Sequence, residues 1–199
     1  MITGFDLSDK NGSVDWDNIP NTMLRFVYLK TSDGLSNADY YFNSNRQNAK
    51  ARGFLVGCYH WLNPKLNCKQ QAEFFVKTAG SFEGELPPAV CLELYRSSVS
   101  EMERNVRTFI DTLNSLSGRK PVIYTSAAYW KENLPNAEWA NSYYLWVDYP
   151  AKTLPRQIYP WIGWTFWQAS YLTSLPGIDN TVGINYFNGY WDDMQKMVS

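Results

Sequence analysis

The run Ala89-Val90-Cys91-Leu92-Glu93-Leu94, the stretch Ser98–Leu116 and the run Pro121-Val122-Ile123-Tyr124-Thr125-Ser126 read as strand, helix and strand. In the middle stretch Met102, Val106, Phe109, Ile110, Leu113 and Leu116 recur at three- and four-residue steps. Gly118 follows as a C-cap. The two flanking runs are apolar almost throughout, as strands covered on both faces are. Two such strands joined by an amphipathic helix predict parallel pairing in a sheet covered by helices.

The same alternation extends in both directions. Further strand candidates are Thr3–Ser8, Leu24–Thr31, Phe54–Trp61, Tyr143–Tyr149, Trp164–Ser170 and Val182–Phe187. Helical patterns cover Asp39–Arg52, which stops at Gly53, as well as Cys68–Ala79 and Tyr190–Val198. Eight strand candidates favour closure into a barrel over an open sheet. Helices thin out after Pro121, and Pro-, Gly- and Trp-rich loops join the last strands. The expected fold class is therefore α/β: an irregular TIM-like barrel with about five strand–helix units followed by three loop-connected strands. No repeat, linker or low-complexity run divides residues 1–199, so one domain is expected.

Composition narrows the function. Lys and Arg number 18 against 19 Asp and Glu, a net charge of −1. That balance excludes a strong basic footprint for nucleic acid or an anionic membrane surface. No window approaches 18 uninterrupted apolar residues, so no membrane insertion is expected. Aromatics reach 17% through 9 Trp, 14 Tyr and 10 Phe, while charged residues are only 19%. The surplus fits either a cleft that stacks on sugars or a large aromatic core. Cys58, Cys68 and Cys91 are too few for a disulfide framework and fit no zinc spacing. The opening Met1-Ile2-Thr3-Gly4-Phe5-Asp6 lacks the features of a secretory leader. Synthesis in a reducing cytoplasm is the expectation.

In a barrel of this kind the site lies at the carboxyl ends of the strands. Read in order, those ends carry Asp6, Lys30 with Asp33, Tyr59 with His60, Glu93, Tyr124, Trp146 with Asp148, Trp167 with Gln168, and Asn185. Asp6 and Glu93 end otherwise apolar strands, where desolvation favours a neutral carboxyl, the form a general acid requires. A lone Asp6 serves equally well as a turn residue. Glu93, between Leu92 and Leu94, is harder to assign to structure, because burying a glutamate in a strand is costly. His60 is the single histidine, with no partner at ligand spacing, so no catalytic metal is expected and His60 reads as part of the cleft wall. No Gly-rich phosphate loop or nucleophile elbow occurs, so no cofactor is expected. Trp61, Trp146, Trp164 and Trp167 read as a sugar-stacking rim, with core packing as the alternative.

On these residues the chain resembles the family 25 glycoside hydrolases, the Chalaropsis-type lysozymes. The likeness runs through Gly4-Phe5-Asp6-Leu7-Ser8, Phe26-Val27-Tyr28-Leu29-Lys30-Thr31-Ser32-Asp33-Gly34 and Gly57-Cys58-Tyr59-His60-Trp61. It continues in Pro87–Glu93, Pro121–Ser126, Leu145-Trp146-Val147, Trp167-Gln168-Ala169-Ser170 and Asn185-Tyr186-Phe187-Asn188-Gly189. The resemblance implies an irregular barrel and cleavage of the β-1,4 bond between N-acetylmuramic acid and N-acetylglucosamine in peptidoglycan. It makes Glu93, in the place of the family's Asp-x-Glu glutamate, the general acid, and puts Asp6 at the catalytic centre. It matches Tyr59, Tyr124, Trp146 and Gln168 to cleft positions; with His60, Trp61, Trp167 and Asn185, which the strand ends and the aromatic rim already suggest, these are the expected substrate-binding residues.

Two positions depart from the family pattern. Cys91 stands where the Asp of Asp-x-Glu is expected, and Gly183 where Asp-x-Asn is expected before Asn185. The resemblance implies that those carboxylates position the substrate's acetamido group, which a thiol and a glycine cannot do by charge. Asp148 is the candidate for a compensating carboxylate, since it shares parity with Trp146. Asp33 and Asp179 are weaker candidates. The alternative is a catalytically impaired glycan-binding protein on the same fold. The expected partner is the peptidoglycan glycan strand, met by a monomer. An endolysin-like route, in which the protein acts at the cell wall after release through a separate membrane lesion, is the expected localisation.

Overall fold

Strand alternation sorts the side chains of this protein into two apolar layers, as seen in a computed structural model that describes residues 1–198. Along the chain the elements are β1 (Ile2–Leu7), a one-turn helix at Asp9–Asn11, β2 (Phe26–Asp33), β3 (Asn37–Ala38), α1 (Phe42–Ala51), β4 (Leu55–Trp61) and α2 (Cys68–Ala79). There follow β5 (Ala89–Leu92), α3 (Val99–Ser117), β6 (Val122–Ser126), α4 (Ala127–Asn133) and a short helix at Glu138–Ser142. The chain then continues through β7 (Tyr144–Asp148), β8 (Phe166–Thr173), β9 (Val182–Phe187) and α5 (Trp191–Gln195).

Eight strands close the barrel in the order β1-β9-β8-β7-β6-β5-β4-β2, with β2 pairing back onto β1 and β3 only extending the edge of β2. All are mutually parallel except β9, which runs antiparallel to both β8 and β1. The expected α/β barrel is present, with helical crossovers early and loops joining β7, β8 and β9. The reversed β9 has one consequence for the site. Its amino end, at Val182 and Gly183, lies beside the carboxyl ends of the others, as the pairing of Asp6 with Gly183 requires.

Large rings fill the barrel interior. Phe26, Tyr28, Phe166 and Phe187 are buried there, with Tyr28 4.7 Å from the Trp146 ring and Phe26 5.6 Å from Phe166. Room for them comes from glycines on the same face: a Cβ at Gly57 would lie 2.3 Å from the Tyr28 ring. The outer layer packs the opposite strand faces against the helices. Met102, Val106, Phe109, Ile110 and Leu113 of α3 are all fully buried, while Leu116, expected in that stripe, is half exposed at the helix end.

Departures from the expected elements are local. The helix expected from Asp39 begins at Phe42, because the Asp39 carboxylate is engaged in accepting the backbone N–H of Tyr41 at 3.0 Å and of Asp9 at 2.7 Å. The seven-residue α4 was not anticipated; Ser126 caps it, its hydroxyl accepting the Tyr129 N–H at 3.1 Å. Among the described residues, no helix is long and apolar enough to cross a membrane.

Candidate active site

A cavity of about 360 Å³ opens at the carboxyl ends of the parallel strands. The inward-facing positions of six of the barrel strands reach it: Asp6 from β1, Tyr59 and Trp61 from β4, Cys91 from β5, Tyr124 from β6, Trp146 from β7 and Gln168 from β8. Glu93, one residue beyond the end of β5, keeps the parity of Cys91 and also lines the cavity. Gly183 closes the ring from the start of β9. Registers explain the convergence, since Trp61, Cys91, Tyr124 and Trp146 are successive lateral partners across β4 to β7.

Two hydrogen-bonded arms hold Asp6. Tyr124 donates its hydroxyl to Gln168 Oε1 at 2.6 Å, and Gln168 Nε2 donates to Asp6 Oδ1 at 2.6 Å. On the other side Trp146 Nε1 donates to Asn185 Oδ1 at 2.9 Å, and Asn185 Nδ2 donates to the same Asp6 oxygen at 2.8 Å. An indole N–H only donates, so the oxygen of Asn185 must face Trp146 and its nitrogen must face Asp6. Burial pushes the Tyr124 phenol well above its usual range, so it too remains a donor. One carboxylate oxygen thus receives two directed donors.

Burial raises Asp6 above the usual carboxylate range, Asn185 and Gln168 pull it back, and the Asp148 charge adds to the rise. Glu93 is pushed up to about 7, first by burial and then by the negative charge of Asp148, with a smaller push from Asp6. The Cys91 thiol, 3.7 Å from Glu93 Oε1, and the Lys10 ammonium act in the opposite direction. Burial also lifts the Cys91 thiol well above its ordinary value, so it stays protonated. The result is a carboxyl that keeps its proton near neutrality beside one whose ionised form is hydrogen-bonded. Opposed environments of that kind divide acid from charge-bearing roles.

Several expected residues lie elsewhere. His60 is fully buried on the outer face of β4 and does not reach the cavity. Its ring stacks on Phe109 at 5.2 Å, Nδ1 is hydrogen-bonded with Ser32 Oγ at 2.9 Å, and burial lowers its pKa to about 4. Trp167 likewise faces the outer layer, donating to the Tyr149 carbonyl at 2.7 Å and packing on Trp164 and Tyr186. Both corrections have one cause: each adjoins an inward-facing residue, Tyr59 or Gln168, and must point the other way. Asn185 is fully buried behind Asp6 and does not line the cavity.

Asp148 does not line the cavity either. It accepts a hydrogen bond from Tyr171, which does line it. Asp33 is tied to Lys30 at 2.7 Å, and Asp179 is exposed outside the cavity. Sequence reading missed Tyr171, Lys10, Ser8, Asn11, Thr181 and Val182 in the wall. Tyr171 has the wrong parity relative to Gln168 and arrives there through irregular register between Gln168 and Ser170 and again before Thr173, which no alternation rule anticipates. The open question about the aromatics resolves toward core: Tyr59, Tyr124 and Trp146 form the cavity floor but are each under 10% exposed. Among the described residues no group of His, Cys, Asp and Glu is arranged to hold a metal.

Comparison with known proteins places this geometry. The profile of glycosyl hydrolases family 25 matches residues 5–178. The chain is 30% identical to the protein YegX of Escherichia coli O157:H7 over 203 aligned residues, covering 99% of this chain and 73% of that one. It is 28% identical to Lysozyme M1 of Streptomyces globisporus, covering 94% of this chain and 68% of that one. The crystal structure of the bacterial lysozyme from Streptomyces coelicolor superposes with a TM-score of 0.94 at 25% identity, covering 99% of this chain and 96% of that one. The chain belongs to family 25 of the glycosyl hydrolases and is a glycoside hydrolase.

Proposed function

We propose that this protein is a muramidase that cleaves the β-1,4 bond between N-acetylmuramic acid and N-acetylglucosamine in the peptidoglycan of bacterial cell walls, with Glu93 as its general acid. The single observation that carries this reading is the Glu93 carboxyl, which lines the cavity and holds its proton up to about pH 7. A general acid must be protonated in the ground state and still able to release its proton, which a value near the working pH allows.

In this mechanism Glu93 transfers its proton to the glycosidic oxygen as the bond from that oxygen to the anomeric carbon breaks. Positive charge grows on the sugar ring, and Asp6 stabilises it through the carboxylate oxygen that Gln168 and Asn185 leave unengaged. Asp148 supplies a second negative charge, compensating for the thiol at Cys91 and the missing side chain at Gly183. Water completes the reaction: its hydroxyl goes to the anomeric carbon and its proton to the carboxylates of the site. Trp61 and Tyr171 supply the flat walls against which sugar rings pack.

The test is digestion of purified cell walls followed by borohydride reduction of the new ends. Reduced muramic acid in the products is expected, and reduced glucosamine alone would assign a different bond. Glu93→Gln is expected to lower the rate on the order of 10²–10⁴-fold. Glycan binding without new reducing ends from the parent protein would overturn the reading in favour of a binding protein.

A further inference from the structure

Two ammonium groups stand over the Trp61 ring, and their surroundings differ. Lys30 Nζ lies 5.8 Å from the ring centroid, is buried, and is engaged by Asp33 at 2.7 Å and Asp9 at 3.6 Å. Lys10 Nζ lies 5.2 Å from the same centroid, is exposed, and lines the cavity. Among the described residues no carboxylate is in ion-pair contact with Lys10, its neighbour Asp9 being turned to Lys30. The turn that carries Lys10 is pinned to the segment before β9. Asn180 Nδ2 donates to the Lys10 carbonyl at 3.1 Å, and Asn11 Nδ2 donates to the Thr181 carbonyl at 3.0 Å. A fixed backbone and an aromatic face thus hold this charge at the cavity edge. It is the one cation among the described residues that line the cavity, whose carboxyl groups are Asp6 and Glu93. An ammonium has three donors, and a ring face engages only one direction.

We propose that Lys10 is a specificity-determining residue that binds a carboxylate carried by the N-acetylmuramic acid unit of the substrate. The proposal rests on the muramidase reading, in which sugar rings pack against Trp61. Of the two sugars in that glycan, N-acetylglucosamine is neutral. N-acetylmuramic acid bears a lactyl ether that either ends in a carboxylate or continues into a stem peptide with carboxylates of its own. A ring seated at Trp61 brings such a substituent beside the ammonium that stands over the same indole. The charges of the site give that ammonium its use. An anionic glycan approaches Asp6 and Glu93, with the charge of Asp148 nearby, and like charges facing one another suppress binding. A single cation at the edge offsets this repulsion where muramic acid sits and does nothing for a neutral sugar. Lys10 therefore selects the orientation and the kind of glycan that enters, while Glu93 and Asp6 act on the bond.

The experiment measures kcat and KM on the parent protein and Kd on its Glu93→Gln variant, each alone, with Lys10→Met and with Lys10→Arg. The substrates are glycan strands with intact stem peptides, the same strands freed of peptide by an amidase, and the freed strands with their lactyl carboxyls converted to methyl amides. Work near pH 6, below the value of about 7 for Glu93, keeps that acid protonated throughout. On a carboxylate-bearing glycan Lys10→Met is expected to raise KM and Kd about fivefold, the effect of an exposed ion pair, with kcat little changed. Lys10→Arg is expected to restore both constants. The methyl amide strands are expected to bind Lys10→Met and its parent equally. Loss on the amidase-treated strands assigns the lactyl carboxylate, and loss confined to strands with stem peptides assigns the peptide carboxylates. Equal losses on charged and neutral strands would overturn the proposal, because Lys10 would then serve only to support Trp61. No loss on any strand would overturn it as well. A parent protein that releases no new reducing ends counts against the muramidase reading, while the Kd series still decides whether Lys10 reads the carboxylate.

Discussion

Trp146 decides which way Asn185 points. The indole N–H reaches Asn185 Oδ1 at 2.9 Å and leaves only the amide nitrogen to face Asp6 at 2.8 Å. The orientation of a buried amide, free in principle to flip, is thus set by a group that cannot accept. Asn185→Asp keeps the size and the bond from Trp146 but turns a donor into a second carboxylate against Asp6. We expect kcat to fall on the order of 10²-fold and the acidic limb of the pH profile to rise, since a neighbouring negative charge favours the protonated form of Asp6. A kinetic pH series on this variant is the check.

With Glu93 as the proposed general acid, the alkaline limb of the pH profile is expected to follow its carboxyl. With its carboxyl pushed to about 7, activity is expected to fall above neutrality as the acid loses its proton. Asp148 is the leading charge behind that rise, so Asp148→Asn is expected to move the limb to lower pH and to lower kcat on the order of tenfold. Cys91→Asp replaces a neutral donor by a negative charge beside Glu93 and is expected to move the limb upward. Opposite displacement of the limb in these two variants is the measured signature.

Glu93 also bears on stability. Its folded value of about 7 lies above the 4.5 of an unperturbed glutamate, so the folded state loses stability as pH rises through that interval. Glu93→Gln removes the loss. The variant, slowed as above, is expected to be more stable than the parent by about 2 kcal/mol at pH 8, with no gain at pH 4. Urea unfolding of both proteins at the two pH values tests the sign.

His60 acts in the reverse direction. Held neutral with a folded value of about 4 against 6.5 for the free group, it contributes stability that is present above pH 6.5 and lost as pH falls toward 4. The full loss is about 3 kcal/mol. His60→Gln is expected to start less stable at pH 7, because the stacking on Phe109 goes, but to decline less between pH 6.5 and 4. Equal slopes for parent and variant would remove His60 as a source of acid sensitivity.

The barrel was legible in the sequence because buried strands and amphipathic helices leave strong marks: the α3 stripe from Met102 to Leu113 is the one the periodicity gives. Asp6, Glu93, Tyr59, Trp61, Tyr124, Trp146 and Gln168 were found because strand ends were read for polar and aromatic residues, and all of them line the cavity. His60 and Trp167 stand near strand ends as a cleft residue would, but alternation turns both side chains to the outer layer. Applied strictly, the period of two separates His60 from Tyr59 and Trp167 from Gln168. Tyr171 lay beyond any such rule, since its place depends on register shifts in β8 that arise only on pairing with β9. The pairing of Gly183 with Asp6 is equally a property of the closed barrel, invisible in the run Gly183-Ile184-Asn185.

Trp146 is also the ring on which the barrel interior rests, 4.7 Å from Tyr28, 5.0 Å from Tyr124 and 6.2 Å from Phe166. The same indole therefore answers to two selections, one for a filled interior and one for the orientation of Asn185. A substitution at Tyr28 or Phe166 that folding would tolerate still tilts that indole and is paid for in turnover. The inner barrel of this enzyme is consequently closed to neutral drift in a way its helical shell is not. Laboratory evolution for thermal tolerance should find its accepted changes among the outer helices and loops, and few or none among the rings beneath the site.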